Sequence, residues 1–198
     1  FQQPRLRASL MQAHILAEDF LQASRAEMID STKFRDVDFC SLTHQAVDDA
    51  YEAAKNKNIT LHRDVLDGQI WVNGNFGLLQ RAVLNLILNA VKFSPKNAVV
   101  KIRLAIDNHH AVISVHNTGK GIPISDQPFL FKRFSRVGSA SEGGEGSGLG
   151  LYFVHTVAEK HFGYTEVESD IGKDTYFSLY LPMTSYDTNI SESAEEDT

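Results

Sequence analysis

The chain has 198 residues, a length that suits one domain of ordinary size with short appendages. Its 42% hydrophobic and 22% charged residues are typical of a globular protein, and a single cysteine excludes an internal disulfide. The formal net charge of −6 argues against a nucleic-acid-binding surface, which normally carries a basic patch. No apolar run approaches the ~18 residues of a membrane span. We therefore expect a cytoplasmic fragment, and any spanning segment of a parent protein would lie outside this chain.

The first predicted element is a helix over residues 9–29, where apolar residues recur at spacings of three and four. It has no obvious place in a compact core, so we interpret residues 1–32 as an appendage that packs against a partner helix. A first strand is predicted over residues 34–39. Ser41 is then expected to cap a helix over residues 42–57.

The remaining elements mix strands and helices. Strands are predicted at residues 59–65, 69–72, 98–106, 111–116, 166–169 and 175–181, and helices at 79–93 and 149–161. Because hairpins are interspersed with helices, we predict an α+β fold with a mixed, mostly antiparallel sheet and helices packed on one face. Residues 184–198 are rich in acidic residues and lack Lys and Arg, which predicts a disordered acidic tail.

Three polar residues form a stripe on the otherwise apolar helix at 79–93. At about 100° per residue, Asn85, Asn89 and Lys92 project within an arc of about 60°. Amides that face inward are costly unless something satisfies them. An amide carbonyl oxygen is a hard ligand suited to Mg²⁺, so Asn89, supported by Asn85, is a candidate magnesium ligand. Lys92, one turn further on, can reach a phosphate oxygen.

Two glycine-rich turns follow this helix, at residues 117–122 and 144–151. The first places Asn117 beside flexible backbone, which suits the reading of a base edge. The second leads into a predicted helix, so free backbone N–H groups at the helix N-terminus can hold a polyphosphate. Residues 123–145 are too long and Gly-rich for an ordinary connection and are predicted to form a lid. Together these segments predict a nucleotide pocket.

Four segments resemble, in order and in spacing, the motifs of sensor histidine kinases in the GHKL ATPase superfamily. They are residues 85–94 (NLILNAVKFS) for the N box, 117–123 (NTGKGIP) for the G1 box, 129–136 (FLFKRFSR) for the F box and 146–151 (GSGLGL) for the G2 box. The resemblance covers residues 34–182 and implies an ATP-binding catalytic domain at 33–183. It implies a two-layer α/β sandwich, the GHKL or Bergerat fold, that binds Mg-ATP under a mobile lid between G1 and G2.

The resemblance also implies roles for individual residues. Asn85 and Asn89 would bind or orient magnesium, and Lys92 would contact phosphate. The adenine side would comprise Phe93, Asn117, Gly119, Gly121 and Ile122. The phosphate loop would comprise Gly146, Ser147, Gly148, Leu149 and Gly150, and Arg136 would be a phosphate-contacting residue of the lid. Residues 9–29 are similar to the second helix of the family's dimerisation and phosphotransfer bundle.

Two departures from the family pattern qualify this interpretation. The G1 box usually begins with an aspartate that accepts a hydrogen bond from the adenine amino group, and Asn117 stands there instead. The amide carbonyl can still accept that bond, although a degenerate pocket is the alternative. The family's phosphoacceptor histidine with its acidic neighbour is absent, since His14 lies in the second-helix segment and is followed by Ile15 and Leu16. The chain alone is therefore expected to bind ATP without autophosphorylating.

Three functions follow from the resemblance. The first is the ATP-binding part of a homodimeric two-component sensor kinase, which transfers the γ-phosphoryl group to a histidine of its own phosphotransfer domain for relay to a response-regulator receiver domain. The second is a nucleotide-binding regulatory module without kinase activity. The third is a serine protein kinase of the anti-sigma type. The segment at residues 9–29 and the complete F box favour the first.

Overall fold

The computed structural model describes residues 3–135 and 147–187, which form helices layered against one face of a sheet. The helices are α1 (Gln3–Glu27), α2 (Phe39–Asp49), α3 (Tyr51–Lys55), α4 (Phe76–Phe93) and α5 (Gly150–Lys160). The strands are β1 (Arg35–Asp38), β2 (Thr60–Val65), β3 (Gln69–Gly74), β4 (Val99–Asp107), β5 (His110–Thr118), β6 (Tyr164–Ser169) and β7 (Asp174–Asp187).

The sheet is mostly antiparallel and is organised around its longest strand, β7. Its order is β1-β3-β7-β5-β4-β2, with β6 also paired to β7. Among the described strands only β2 and β4 pair in parallel. The turn between β4 and β5 has left-handed backbone at Asn108 and His109, with φ of 44° and 65°, which closes the predicted hairpin. The predicted α+β fold is confirmed.

The core lies between the sheet and helices α2, α4 and α5. Alternate residues of β5 and β7, such as Ile113 and Leu179, are fully buried, and the apolar flank of α4 supplies Leu86 and Ile87. Each such side chain contributes about 1.5–3 kcal/mol relative to exposure to water. The opposite face of the sheet carries polar residues, where Ser114 and Ser178 share a hydrogen bond of 2.7 Å. This alternation explains why the helices cover one face only.

The second helix begins earlier than expected because its cap is Asp38 rather than Ser41. The Asp38 carboxylate accepts hydrogen bonds from the backbone N–H groups of Cys40 (3.0 Å) and Ser41 (3.3 Å). This places Phe39, which the sequence assigned to a strand, at the first helical position with its side chain buried. The predicted helix at 42–57 is also two helices, α2 and α3, which are separated at Ala50.

Helix α1 runs from Gln3 to Glu27 and docks by its C-terminal half. Ala23 and Ala26 are buried there, and α1 packs against α5. Leu16, Phe20 and other apolar residues earlier in the helix are exposed. The predicted packing of α1 against a partner helix stays a prediction.

The folded domain extends further toward the C-terminus than the predicted boundary at residue 183. Strand β7 continues to Asp187, because its last residues pair with β3, so residues 184–187 do not belong to a disordered tail. Residues 188–198 of that tail lie outside the described part.

Within the described ranges, α4 alone is long and apolar enough to cross a membrane by length and composition, although the sequence analysis predicted no such segment. Its apolar flank is packed in the core of this domain.

Candidate functional site

Helix α4 is the framework of the site, and it is fixed at its N-terminus. Asn75 caps it by accepting a hydrogen bond from the Leu78 N–H at 3.0 Å. The predicted polar stripe is present: Asn85 and Asn89 are half-buried and Lys92 is exposed at the far end. The Asn85 amide nitrogen lies 3.5 Å from the carbonyl oxygen of Gly150, the first residue of α5. The stripe and the predicted phosphate loop therefore meet.

The C-terminus of α4 joins the stripe to the predicted adenine side. The ammonium group of Lys92 lies 5.0 Å from the ring centroid of Phe93, whose side chain is half exposed. The Phe93 carbonyl oxygen approaches the G1 turn closely, because a Cβ placed on Gly119 would lie only 3.1 Å from it. A side chain at position 119 would therefore be tight where the turn passes the helix end, and the neighbouring backbone would have to shift by a few tenths of an ångström to admit it.

Sequence reasoning missed a residue that holds this helix end. The ammonium group of Lys57 donates to the carbonyl oxygens of Val91 (3.0 Å), Lys92 (2.6 Å) and Ser94 (2.7 Å). Lys57 lies 34 to 37 residues before the carbonyl groups that it binds and belongs to none of the four motifs. No local pattern in the sequence indicates this contact.

Asn117 lies on the helix-covered side of β5, where it is buried. Its amide nitrogen donates to the carbonyl oxygen of Thr118 at 3.2 Å. His116 lies on the other face of the strand, because successive side chains of a strand point to opposite faces. A buried amide that bonds a neighbouring carbonyl has its oxygen available to a further donor, which the amino group of a base would provide.

The G1 turn rests on the β6–β7 turn. Gly121 has a φ of +69°, and a Cβ there would lie 1.8 Å from the carbonyl oxygen of Asp170. The backbone N–H of Ile122 donates to the Ser169 hydroxyl at 2.9 Å. Gln127, at the start of the predicted lid, donates to the carbonyl oxygens of both Ile122 and Ser169. These supports of the turn were missed because they come from segments distant in sequence.

The phosphate loop is described from Ser147 onward, and the predicted site residues Arg136 and Gly146 lie outside the described part of the chain, as do lid residues 137–145. Gly148 has a φ of +69°, and a Cβ there would lie 2.8 Å from the Ser135 carbonyl oxygen. Leu149 is buried, and its N–H donates to the Ser147 hydroxyl at 3.1 Å. Within the described residues, no atom lies within 4 Å of the position that a Cβ on Gly150 would take, so the start of α5 is open on that side. An open helix N-terminus attracts anions.

Helix α1 contacts the same loop. The Ser147 hydroxyl donates to the Asp19 carboxylate at 2.6 Å, and Arg81 of α4 lies 3.8 Å from that carboxylate. Further along α1, Glu27 accepts hydrogen bonds from the Tyr152 hydroxyl (2.8 Å) and from Arg133. The hydrogen bond from Tyr152 is the largest cause that lowers the pKa of Glu27, and the hydrogen bond from Arg133 is the next largest. The appendage therefore ends beside the candidate phosphate site.

The donor set suits magnesium rather than a softer metal. Within residues 3–135 and 147–187, no three His, Cys, Asp or Glu side chains lie together in a metal-binding group. On the polar stripe of α4, the amides of Asn85 and Asn89 provide oxygen ligands and are one turn apart. Such sparse oxygen ligation fits Mg²⁺, because this ion keeps waters and takes other ligands from phosphates.

Comparison with known proteins identifies the fold family. Residues 74–185 match the family described as histidine kinase-, DNA gyrase B-, and HSP90-like ATPases. The chain belongs to this family. The match includes the stripe of α4, the G1 turn and the phosphate loop, so the ATP-binding domain inferred from the four motifs is confirmed.

Relatives of this ATPase domain are sensor kinases. The chain is 35% identical over 174 residues to the sensor histidine kinase RppB of Synechocystis sp., covering 86% of this chain and 38% of that protein. It is 32% identical over 158 residues to the sensor protein kinase PmrB of Pseudomonas aeruginosa, covering 78% of this chain and 32% of PmrB. The chain thus spans between about a third and two fifths of these relatives.

Solved structures agree with these relatives. The mycobacterial sensor histidine kinase MprB is 32% identical, with a TM-score of 0.66 over 75% of this chain and 98% of that structure. Full-length ShkA in complex with AMPPNP is 25% identical, with a TM-score of 0.75 over 94% of this chain and 40% of ShkA. The ATPase domain is therefore of the histidine-kinase type.

Proposed function

We propose that this domain binds Mg-ATP and, in its parent protein, positions the γ-phosphoryl group for transfer to a histidine. The observation that carries the proposal is the approach of Asn85 on α4 to Gly150 at the start of α5. It brings the polar stripe next to the phosphate loop, while the C-terminus of α4 touches the G1 turn. The polar stripe of α4, the phosphate loop and the G1 turn are far apart in sequence but would thus surround one site. A nucleotide with a base, a phosphate chain and a metal matches their chemistry.

The chain's own residues would act by positioning and by electrostatics, as is usual in phosphoryl transfer. The open N-terminus of α5 would hold the phosphates, and Lys92 would add a positive charge. The amide oxygen of Asn89, supported by Asn85, would ligate Mg²⁺, which neutralises developing charge on the phosphates when bound. Asn117 would accept the hydrogen bond of the adenine amino group.

The parent protein would supply the rest of the reaction. The acceptor histidine motif is absent from this sequence, so the phosphotransfer domain that carries it would lie elsewhere in the parent. Exposed Leu16 and Phe20 on α1 would pack in the homodimeric bundle that brings acceptor and nucleotide together. The phosphoryl group would pass to the receiver domain of a response regulator at the cytoplasmic side. The sensor kinases among the relatives support this function over a serine kinase.

A nucleotide-binding regulatory module is the second candidate, and Asn117 favours it. An amide carries no charge, so its bond to an adenine amino group is weaker than that of the family's aspartate. Such a module would bind ATP and transfer nothing.

Titration of the chain with a fluorescent ATP analogue, with and without Mg²⁺, tests the binding site. We expect magnesium-dependent binding that Asn89→Ala abolishes, while Gln80→Ala, a change of a polar residue on the same helix, leaves it intact. If the Asn89→Ala variant bound the ATP analogue with an affinity within about twofold of that of the unsubstituted chain, the assignment of Asn89 as a magnesium ligand would be refuted. Phosphotransfer from the full-length protein to a receiver-domain aspartate then separates the kinase from the regulatory module.

A further inference from the structure

Lys57 closes the C-terminus of α4, although it lies outside every nucleotide-binding motif. Its ammonium group is within 3.0 Å of three carbonyl oxygens, those of Val91, Lys92 and Ser94. Lysine has three N–H donors and no acceptor, so these three bonds use its full hydrogen-bonding capacity. The side chain is half-buried. A long and mobile side chain is therefore fixed in one place.

The carbonyl groups that Lys57 binds have no partner within the helix. The last four carbonyls of an α-helix lack intrahelical donors, and they carry the negative end of the helix dipole. In α4 the Ala90 carbonyl is satisfied by Ser94, through its N–H at 3.0 Å and its hydroxyl at 2.7 Å. Lys57 binds the next two carbonyls, and it also binds the residue that ends the helix. It thereby offsets the negative charge at the helix end.

The Phe93 carbonyl, between those of Lys92 and Ser94, does not accept a hydrogen bond from Lys57, and it faces the G1 turn. A Cβ on Gly119 would lie 3.1 Å from the Phe93 oxygen, so backbone and turn are in close contact. Lys92, whose carbonyl Lys57 binds, directs its own ammonium group over the Phe93 ring. The last turn of α4 thus carries the candidate phosphate contact and touches the candidate adenine site. Lys57 holds this turn from the side.

The position of Lys57 is itself set by a tight connection. After α3 the chain turns through Asn58, whose φ is 54°, and the Ile59 N–H donates to the Ala54 carbonyl at 2.9 Å. The next residue, Thr60, then joins the sheet by donating to the Ala98 carbonyl at 3.0 Å. Helix α3 ends and β2 begins within a few residues, which leaves little freedom for the backbone of Lys57.

We infer that Lys57 is a positioning residue of the nucleotide site, which holds the last turn of α4 so that Lys92 and Phe93 meet ATP in the right place. This inference rests on the proposed nucleotide binding and extends it to a residue that touches neither phosphate nor base. Lys57 also lowers the electrostatic cost of bringing a polyphosphate near a helix C-terminus, because its charge opposes the dipole. Loss of the ammonium group would leave the carbonyls of Val91 and Lys92 unpaired and the turn loose.

The test compares Lys57→Met with Lys57→Arg and with the control Lys55→Met, which removes an exposed lysine from the same segment. ATP affinity is measured with Mg²⁺ present, and the amide resonances of Phe93 and Gly119 are followed by NMR in ligand-free protein. We expect Lys57→Met to weaken ATP binding about tenfold and to shift both resonances. Lys57→Arg, which keeps charged donors, should restore affinity to within about threefold, and Lys55→Met should match the parent.

The possible results separate this inference from the function on which it rests. If the parent chain binds ATP and Lys57→Met binds equally well with unmoved Phe93 and Gly119 resonances, Lys57 is only a stabilising residue and the inference is wrong. If the parent chain does not bind ATP at all, the proposed function itself fails. Should Lys57→Met be unfolded, Lys57→Gln replaces it. Its uncharged amide reaches less far, so we expect the same direction of change, and unchanged affinity would overturn the inference.

Discussion

The imidazole of His161 stacks on the phenyl ring of Phe34, with ring centroids 4.3 Å apart and an angle of 12° between the planes. Both rings are buried. His161 Nε2 accepts a hydrogen bond from the Asn75 N–H at 3.0 Å, and Nδ1 donates to the Val157 carbonyl at 2.7 Å. One ring therefore joins the end of α5 to the cap of α4. Because one nitrogen accepts and the other donates, this arrangement needs the neutral imidazole.

The first prediction concerns the pH dependence of stability. Burial lowers the pKa of His161 below 6.5, so the unfolded chain binds a proton more readily than the folded one. The sign follows: stability from the neutral ring is complete above pH 6.5 and is lost as pH falls toward the lower folded pKa. The slope reaches at most about 1.4 kcal/mol per pH unit. Urea unfolding between pH 7.5 and 5.5 measures it.

The matched variants are His161→Gln and His62→Gln. The first removes the titrating ring while keeping polar atoms, so we expect lower stability at pH 7.5 and a flatter dependence on pH. His62 is exposed on β2, so its substitution should leave the pH dependence unchanged. An identical pH profile in His161→Gln and the parent would show that His161 does not titrate on unfolding.

The second prediction compares two glycines that have nearly the same backbone angle. Gly121 has a φ of +69° and Gly172 of +74°, so alanine is strained at both by about 1–2 kcal/mol. A Cβ at Gly121 would also lie 1.8 Å from the Asp170 carbonyl oxygen, whereas at Gly172 it would meet no atom of the described ranges within 4 Å. We expect Gly121→Ala to destabilise the domain by about 2 kcal/mol more than Gly172→Ala. Equal losses of stability in urea unfolding would mean that the G1 turn and the β6–β7 turn are not in close contact.

The fold and the central part of the site were predictable because their signals are local. Hairpin turns, the alternation of β5 and the polar stripe of α4 each repeat over a few neighbouring residues. Glycines at positions 121 and 148 indicated special backbone geometry, and both have positive φ. Such patterns need no knowledge of what lies opposite them in the fold.

The rest of the site depends on contacts that no local pattern reveals. Lys57 meets the end of α4 across 34 to 37 residues, and Asp19 meets Ser147 across 128. From the sequence alone, Lys57 and Asp19 would both be interpreted as ordinary solvent-exposed residues. The cap of α2 was misassigned for a similar reason, because Asp38 and Ser41 are both good capping residues and only packing of Phe39 decides between them.

The third prediction concerns base recognition by Asn117. Its amide is buried beside the G1 turn, where the carbonyl oxygen can accept a bond from the adenine amino group. Guanine presents a carbonyl in place of that amino group, so the same amide oxygen would repel it. Asn117→Ala should weaken ATP binding about tenfold, which corresponds to about 1.4 kcal/mol, and should reduce the preference for ATP over GTP. Competition titrations measure both quantities.

The neighbouring exposed residue provides the control. Thr118→Ala keeps the Thr118 carbonyl that Asn117 binds, so it should leave affinity and base preference unchanged. If the parent domain bound ATP and GTP equally well, Asn117 would have no part in reading the base.

The fourth prediction concerns the charge that α1 brings to the phosphate loop. The Asp19 carboxylate accepts the Ser147 hydroxyl at 2.6 Å, directly before the open start of α5. A fixed negative charge there repels phosphates, and the nearby Arg81, at 3.8 Å, offsets it only in part. Asp19→Asn keeps a hydrogen-bond acceptor and removes the charge, so we expect ATP to bind about two to five times more tightly at low salt.

The control for Asp19→Asn is Glu18→Gln, which removes an exposed charge from the same helix. Tighter binding in both variants would point to net charge alone, whereas weaker binding in Asp19→Asn would mean that the carboxylate shapes the loop for the nucleotide. Because salt screens exposed charges, the gain in Asp19→Asn should shrink when the titration is repeated at high ionic strength.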